Sequence, residues 1–386
     1  MSVLRVSLVT LSLSFLILGC TWPWEDDPSD PGGLADALTV EDDIATVPDL
    51  AGQDLPTVDP NKCTELPCDI IQRTNPKAYR IDMHVHVTNA GEPLNRLDLI
   101  FPVPATSTYQ DISNASFSDG GQLLDFPNTE DQYVRYMVKG DDLPAPGESK
   151  TWTYSFDATF WEVTANLDRV GELPDYDVES DLYKWYTGTS WAYCSSLDKE
   201  CAVIDPQGVI EDYSVDMMAE ATDRLDYIRM AYDFTLDYVT YEWNPDGPNP
   251  SCTADVLNGK KGYCASFQQL FVALVRSRSI PARPLLSPGL EGTAHVWSEF
   301  YLEGYGWIPA DPAFGDGDPN TDYLGYVPND AAHFPVVSRE MDLEIDFFDW
   351  NFTQAGVQTP FPVAYPVTTA IIDWSHEVVA TPTQAD

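Results

Sequence analysis

The hydrophobic period of this chain changes partway along its length, and that change limits the folds open to it. In "AYRIDMHVHV", Tyr79, Ile81, Met83, Val85 and Val87 alternate with Arg80, Asp82, His84 and His86. A period of two describes a strand with one buried face. "TWTYSFDATFW" repeats the pattern through Trp152, Tyr154, Phe156, Ala158 and Phe160, and "DLIFPV" and "QYVRYMV" supply further strands. Turn clusters such as "SDGGQ" and "LPAPGES" separate them. This spacing predicts a β-sandwich over residues 75–175. From Ser214 to Trp243 the apolar residues fall at three- and four-residue steps, at Met218, Leu225, Ile228, Met230, Ala231 and Phe234. That is a helical period.

A second helix is predicted from Gly262 to Ser279, then strands at Ala294–Leu302 and Trp307–Ala310, and alternating strands in "MDLEIDFF" and "TTAIIDW". The expected class is α+β. An N-terminal β-sandwich leads through a connecting segment (176–213) into an α+β unit over 214–386 with a β-rich C-terminal tail.

The first residues point to export. Arg5 is the only charge before an apolar run ending Ile17-Leu18-Gly19-Cys20. A short apolar run behind one positive charge is a secretory signal, expected over residues 1–20. Its end resembles a bacterial lipobox, in which the cysteine carries lipid, so Cys20 is the candidate lipidation site. The alternative is an ordinary signal peptide cut elsewhere. From Thr21 to Pro60 there are eleven acids and no base, with repeated prolines. Such a stretch buries too little apolar surface to offset its ordering entropy. Residues 21–74 are therefore expected to form an acidic, extended tether for a lipoprotein of the bacterial cell envelope. The whole chain has formal charge -42, from 62 acids against 20 bases. That excludes nucleic acid as a partner, since phosphate binding needs clustered Lys and Arg.

The chemistry concentrates around "GKKGYCASFQQLFVALVRSRSIPAR". Phe267, Leu270, Phe271, Leu274 and Val275 mark one face of a helix whose N-terminus lies near Tyr263-Cys264. A thiol there meets unpaired N–H groups and the positive end of the helix dipole, which favour thiolate. Lys260 and Lys261 add positive charge nearby. Cleaving an amide also requires a proton for the leaving amine, and a histidine supplies it. His295 opens the strand "HVWSEFYL", and Asp311 closes the return strand after "EGYG". With an odd-length turn the two side chains share a face, close enough for contact. An even-length turn without a bulge separates them.

Gly262-Tyr263-Cys264, Ile280-Pro281-Ala282-Arg283, His295-Val296-Trp297-Ser298-Glu299 and Trp307 to Asp311-Pro312 together resemble the transglutaminase-like superfamily, over about Ile204 to Phe314. The resemblance implies a papain-like core in which a helix bearing Cys packs on a sheet bearing His and Asp. It makes Cys264 the nucleophile, His295 the general acid/base and Asp311 the group that orients the imidazole. The expectation is a thiol enzyme transferring acyl groups from peptide or side-chain amides. Water as acceptor makes it a peptidase or amidase, and an amine makes it a true transglutaminase. The rival class is a non-catalytic surface lipoprotein that binds peptide or cell-wall material. The partner is a protein or peptide substrate, and the membrane is met only through the anchor.

Other residues carry less. His84 and His86 sit on the polar side of their strand with no third ligand nearby. "DPAFGDGDPNTD" gathers Asp311, Asp316, Asp318, Asn320 and Asp322, but it lacks the glycine and the final Glu of an EF-hand. No cofactor is expected, with calcium as the lesser alternative. Tyr241 and Trp243 either line an oxyanion pocket or pack in the core. Cys63 with Cys68, and Cys194 with Cys201, are candidate local disulfides, and Cys252 is left over, buried or paired. No C-x-x-C occurs, which speaks against zinc.

Overall fold

The computed structural model describes residues 62–63, 65–118, 120–125, 132–194, 199–242, 252–290, 294–318, 320–339, 343–347, 350–354, 361–365 and 372–383. The signal segment, Cys20 and the acidic stretch to Pro60 lie outside these residues. The end of the expected tether is instead structured: Cys63 and Cys68 are bridged, the Cys63 N–H donates to the Arg169 carbonyl at 2.8 Å, and a strand already starts at Ile71.

Strands β1 (Ile71–Asn89) and β6 (Ser149–Ala165) pair antiparallel. Ile81 faces Phe156, Met83 faces Tyr154 and Val85 faces Trp152. This register puts both alternating sets on one face, and all six side chains are buried. β3 (Gln110–Phe117) and the short β14 (Tyr326–Val327) add to the outer edge of β6. A second sheet runs in the order β17 (Phe361–Tyr365), β2 (Arg96–Val103), β5 (Gln132–Lys139), β4 (Gly121–Asp125). Leu97, Leu99, Val134 and Tyr136 from this sheet share one core with the buried face of β1 and β6. The result is a sandwich.

The C-terminal strands do not join the α+β unit with which they were grouped. β18 (Ile372–Thr383) pairs along the free edge of β1, Met83 facing Val378, and β17 pairs with β2. Each sheet of the sandwich thus recruits a strand from the far end of the chain, which covers an edge that would otherwise stay open. β15 (Leu343–Phe347) and β16 (Trp350–Gln354) form a separate hairpin before them.

The second unit surrounds one helix. α5 (Cys264–Arg276) was expected to bury one face, yet all but one of its residues are buried. α1 (Asp181–Thr187) and the β7–β8 hairpin (Ser190–Cys194, Lys199–Ile204) precede it. α2 (Val209–Glu220), α3 (Arg224–Tyr238) and α4 (Thr253–Gly259) pack beside it. The helical stretch expected as one run is broken in two. The Asp223 side chain caps α3 by accepting from the Asp226 N–H at 2.9 Å, and Asp226 in turn accepts from the Thr222 N–H at 2.8 Å. The open sheet β11 (Ala282–Ser287), β12 (His295–Leu302), β13 (Gly306–Ala310) lies against α5. Parallel β9 (Thr240–Tyr241) and β10 (Lys261–Gly262) lead into its N-terminus. Helix α6 (Pro312–Gly317) closes that end. The class is α+β, as expected.

Cys63 and Cys68 are disulfide-bonded, and Cys252 is a buried free thiol. The side chains of Cys194 and Cys201 lie outside the described residues, as does Trp243.

Candidate active site

Cys264 is the first residue of α5, so its backbone N–H has no acceptor inside the helix. The chain enters through Tyr263, in extended conformation, whose N–H donates to Ser266 Oγ at 3.3 Å. Cys264 is 8% exposed, enough to be reached at the rim and little enough to exclude bulk water. The expected help from Lys260 and Lys261 is not there. Lys261 Nζ pairs with Glu242 Oε1 at 2.7 Å, and Lys260 Nζ lies 4.7 Å from the Tyr238 ring.

The turn between β12 and β13 settles the question of parity. Leu302 faces Gly306, leaving an odd three-residue turn, Glu303-Gly304-Tyr305. His295 and Asp311 therefore share a face. His295 Nε2 donates to Asp311 Oδ2 at 2.7 Å. The other ring nitrogen is then left for the thiol, whose charge acts on the ring. Burial alone would keep the ring neutral. The Asp311 carboxylate, and after it the Cys264 sulfur, outweigh burial and push the imidazole up to about 10. The ring stacks on Trp297, centroids 6.1 Å apart, and packs on Phe314 at 4.7 Å.

Asp311 is fully buried and crowded with donors. Its Oδ2 also accepts from His333 Nε2 at 2.9 Å. Its Oδ1 accepts from the Phe314 N–H at 3.1 Å, capping α6, and from Gln268 Nε2 at 3.4 Å. Burial opposes its charge, but His295 and His333 overcome that and hold the carboxyl well below its ordinary range. Gly315 keeps α6 close, since a Cβ there would strike the Tyr232 hydroxyl.

The three residues expected from sequence thus converge, and others join them. Gln268 stands one turn along α5 from Cys264, a spacing visible in the sequence. His333 comes from the segment after β14, and only the local Asp330-x-x-His333 pair hinted at it. Tyr241, opposite Gly262 in the β9–β10 pair, is half-exposed and packs on Phe267, so it belongs to the rim rather than the core. Burial, then the charges of Cys264 and Asp311, keep its phenol protonated.

The remaining candidates disperse. His84 and His86 hydrogen-bond to Thr153 and Thr151 on the neighbouring strand. Asp318 accepts from Thr321 Oγ1 and from the Asn320 N–H, and Asp322 pairs with Arg229 at 2.7 Å. These contacts hold Asp318 within its loop and Asp322 against α3.

A thiol at a helix start, an imidazole on β12 and a carboxylate just past the end of β13 thus stand together in one buried cluster. Residues 211–312 match the family model described as "Transglutaminase-like superfamily". A proposed cysteine protease of Cytophaga hutchinsonii shares the fold, with TM-score 0.51 and 14% identity over 82% of this chain and 94% of its own. The periplasmic domain of TgpA from Pseudomonas aeruginosa aligns at TM-score 0.31 and 13% identity, over 61% of this chain and 74% of its own. A protein of uncharacterised function from Haemophilus influenzae is 22% identical over 282 residues, 62% of this chain and 72% of its own length.

Proposed function

We propose that this chain is an exported thiol hydrolase that cleaves peptide or side-chain amides through a Cys264 thioester. The observation that carries this reading is the buried His295–Asp311 contact, Nε2 to Oδ2 at 2.7 Å, on a ring that also feels the thiol at the tip of α5. The thiolate attacks the acyl carbon, and the orphan N–H at the helix start receives the oxyanion charge. The Tyr241 hydroxyl at the rim is a second donor. His295 gives its proton to the leaving amine and then takes one from water, which attacks the thioester and releases the acid. Asp311 holds the ring in place through both transfers. Water is preferred as acceptor because it needs no second binding pocket. An amine acceptor follows the same path up to the last step.

The protein is further proposed to stand at the bacterial envelope on a lipid carried by Cys20. No described helix is long and apolar enough to cross a membrane. Cys20→Ser should move the protein to the soluble fraction and abolish labelling by a fatty-acid analogue. Unchanged membrane partition would sink the anchor.

A library of peptide amides, incubated with wild type and Cys264→Ala and read by mass spectrometry, tests the chemistry. The reading expects free-acid products and a trapped acyl adduct on Cys264 in wild type only. Amine conjugates in place of acids would replace the hydrolase with a transglutaminase. No adduct with any acyl donor would favour the binding module.

A further inference from the structure

His333 is a buried histidine that the triad chemistry does not use, and a carboxylate oxygen faces each of its ring nitrogens. Its side chain is fully enclosed. Nε2 faces Asp311 Oδ2 at 2.9 Å and Nδ1 faces Asp330 Oδ1 at 2.8 Å. Asp330 Oδ1 also accepts from the backbone N–H groups of Ala332 at 3.0 Å and His333 at 3.1 Å. Despite burial, hydrogen bonds from His333 hold the Asp330 carboxyl below its ordinary range, and Asp311 is held lower by both imidazoles. Ionised carboxylates only accept. With a carboxylate oxygen on each side, the ring is set to donate from both nitrogens, the pattern of an imidazolium.

We propose that His333 is a positioning residue of this active site: a buried cation, clamped by Asp330, that locks the Asp311 carboxylate toward His295 and sets the pH range in which Cys264 reacts. The second part rests on the thiol-enzyme reading above, while the charge of the ring does not.

The sandwich holds the clamp in place. Gln110 of β3, fully buried, accepts from the Val336 N–H at 2.9 Å and donates to the Val336 carbonyl at 2.8 Å. Asn329 donates to the carbonyls of Asn75 at 2.7 Å and Phe160 at 2.8 Å, and Lys77 reaches the Asn329 carbonyl. Phe334 stacks on Phe160 with centroids 4.7 Å apart. Segment 328–338 is thus fastened to β1, β3 and β6 on one side and presents His333 to Asp311 on the other.

The effect on the thiol has a definite sign. The rings of His295 and His333 lie 4.8 Å apart with one carboxylate oxygen between them. The other titratable groups facing the cluster are Cys264 from α5, Tyr232 from α3, Tyr241 from β9, and Tyr323 and Tyr326 around β14. Burial foremost pushes all four phenols up, so they stay neutral. Removing the His333 cation removes positive charge beside the Cys264–His295 pair. Thiolate formation becomes harder, and the reactive range moves to higher pH, by about one unit for a charge at this distance.

The His295–Asp311–His333 group also brings its ligand atoms within 4.8 Å of one another, as a metal site would. A ring donating from both nitrogens has no lone pair for a metal.

Two measurements test this. Ring 15N NMR of wild type at neutral pH should show both His333 nitrogens protonated, and it needs no variant that folds poorly. The rate of Cys264 alkylation by iodoacetamide against pH should rise at about one unit higher pH in His333→Gln than in wild type. A neutral His333 ring with one N–H, tight binding of added Zn²⁺ through His333, or superimposable alkylation curves would each overturn the proposal. If wild-type Cys264 reacts no faster than in an unfolded control, the enzyme reading fails and the pH role of His333 goes with it. The NMR result then still decides the charge on the ring.

Discussion

Arg283 and Glu299 face each other across β11 and β12 as a buried ion pair, Nε to Oε2 at 2.8 Å, each side chain 3% exposed. The guanidinium also lies 4.0 Å from the Trp307 ring. Both residues stand in the motifs that carry the family resemblance. Their work is to fasten the strand that follows α5 to the strand that bears His295. Glu299→Gln or Arg283→Met leaves one buried charge unpaired, and should cost about 3–5 kcal/mol of stability in urea unfolding. Replacing both by apolar residues of similar volume should cost less than either single change. Equal losses for single and double variants would show that the pair is not the relevant unit.

Roles within the triad should separate by substitution. Cys264→Ala should abolish the covalent adduct altogether. His295→Ala should abolish turnover, because the leaving amine then lacks its proton donor. Asp311→Asn keeps the shape but lets the ring choose the wrong tautomer, so turnover should fall by roughly 10³-fold or more while the thiol still labels. Gel-based labelling alongside single-turnover kinetics distinguishes these cases. Full activity in Asp311→Asn would remove the carboxylate from the mechanism.

Asp98 is a buried acid on the face of β2 turned away from the sandwich core. It lies on β2 between Leu97 and Leu99 with its side chain fully enclosed, and only Oδ2 is paired, with Arg96 at 3.1 Å. Burial raises its carboxyl to about 7, against the opposing pull of Arg96, Arg135 and Lys139. The fold therefore prefers the protonated form. Its contribution is fully present below the unfolded value of 3.8 and is lost as pH rises through about 7. Asp98→Asn should match wild type near pH 4 and exceed it at pH 8, by at most about 4 kcal/mol. Thermal melts at the two pH values check this, and a variant less stable at both would show that Asp98 is held ionised.

Much of the site could be read from the sequence because each member carries a local signature. Cys264 precedes a run with helical period, while His295 and Asp311 sit at the ends of two strands joined by a countable turn. The parity rule needed only the turn length. His333 could not be read in this way, since its meaning comes from Asp311, reached across the interior from a segment with no regular period. The same limit applied to β17 and β18. Alternation in "TTAIIDW" marks only the start of β18 and nothing marked β17, and which edge each covers depends on the open edges left by β1 and β2, a property of the assembled sheets. Lys260 and Lys261 failed as helpers because proximity in sequence does not direct a flexible ammonium. Glu242 and the Tyr238 ring were nearer partners.

The last prediction concerns pH and follows from the His295–Asp311 contact. The imidazole is raised from 6.5 to about 10 in the fold, so its contribution to stability is complete below about 6.5 and is lost as pH rises through about 10. The Asp311 carboxyl is lowered from 3.8, so its contribution is present above that value and is lost as pH falls well below it. The stabilisation that wild type holds over His295→Gln should therefore be greatest between about pH 4 and 6.5 and shrink on both sides. The alkaline loss should span several pH units rather than one step, because thiol and imidazole titrate as a pair. Urea unfolding of both proteins from pH 3 to 10.5 measures the difference directly. A difference that stays flat across this range would mean that His295 is neutral at rest. The thiol would then have to be deprotonated during attack rather than before it.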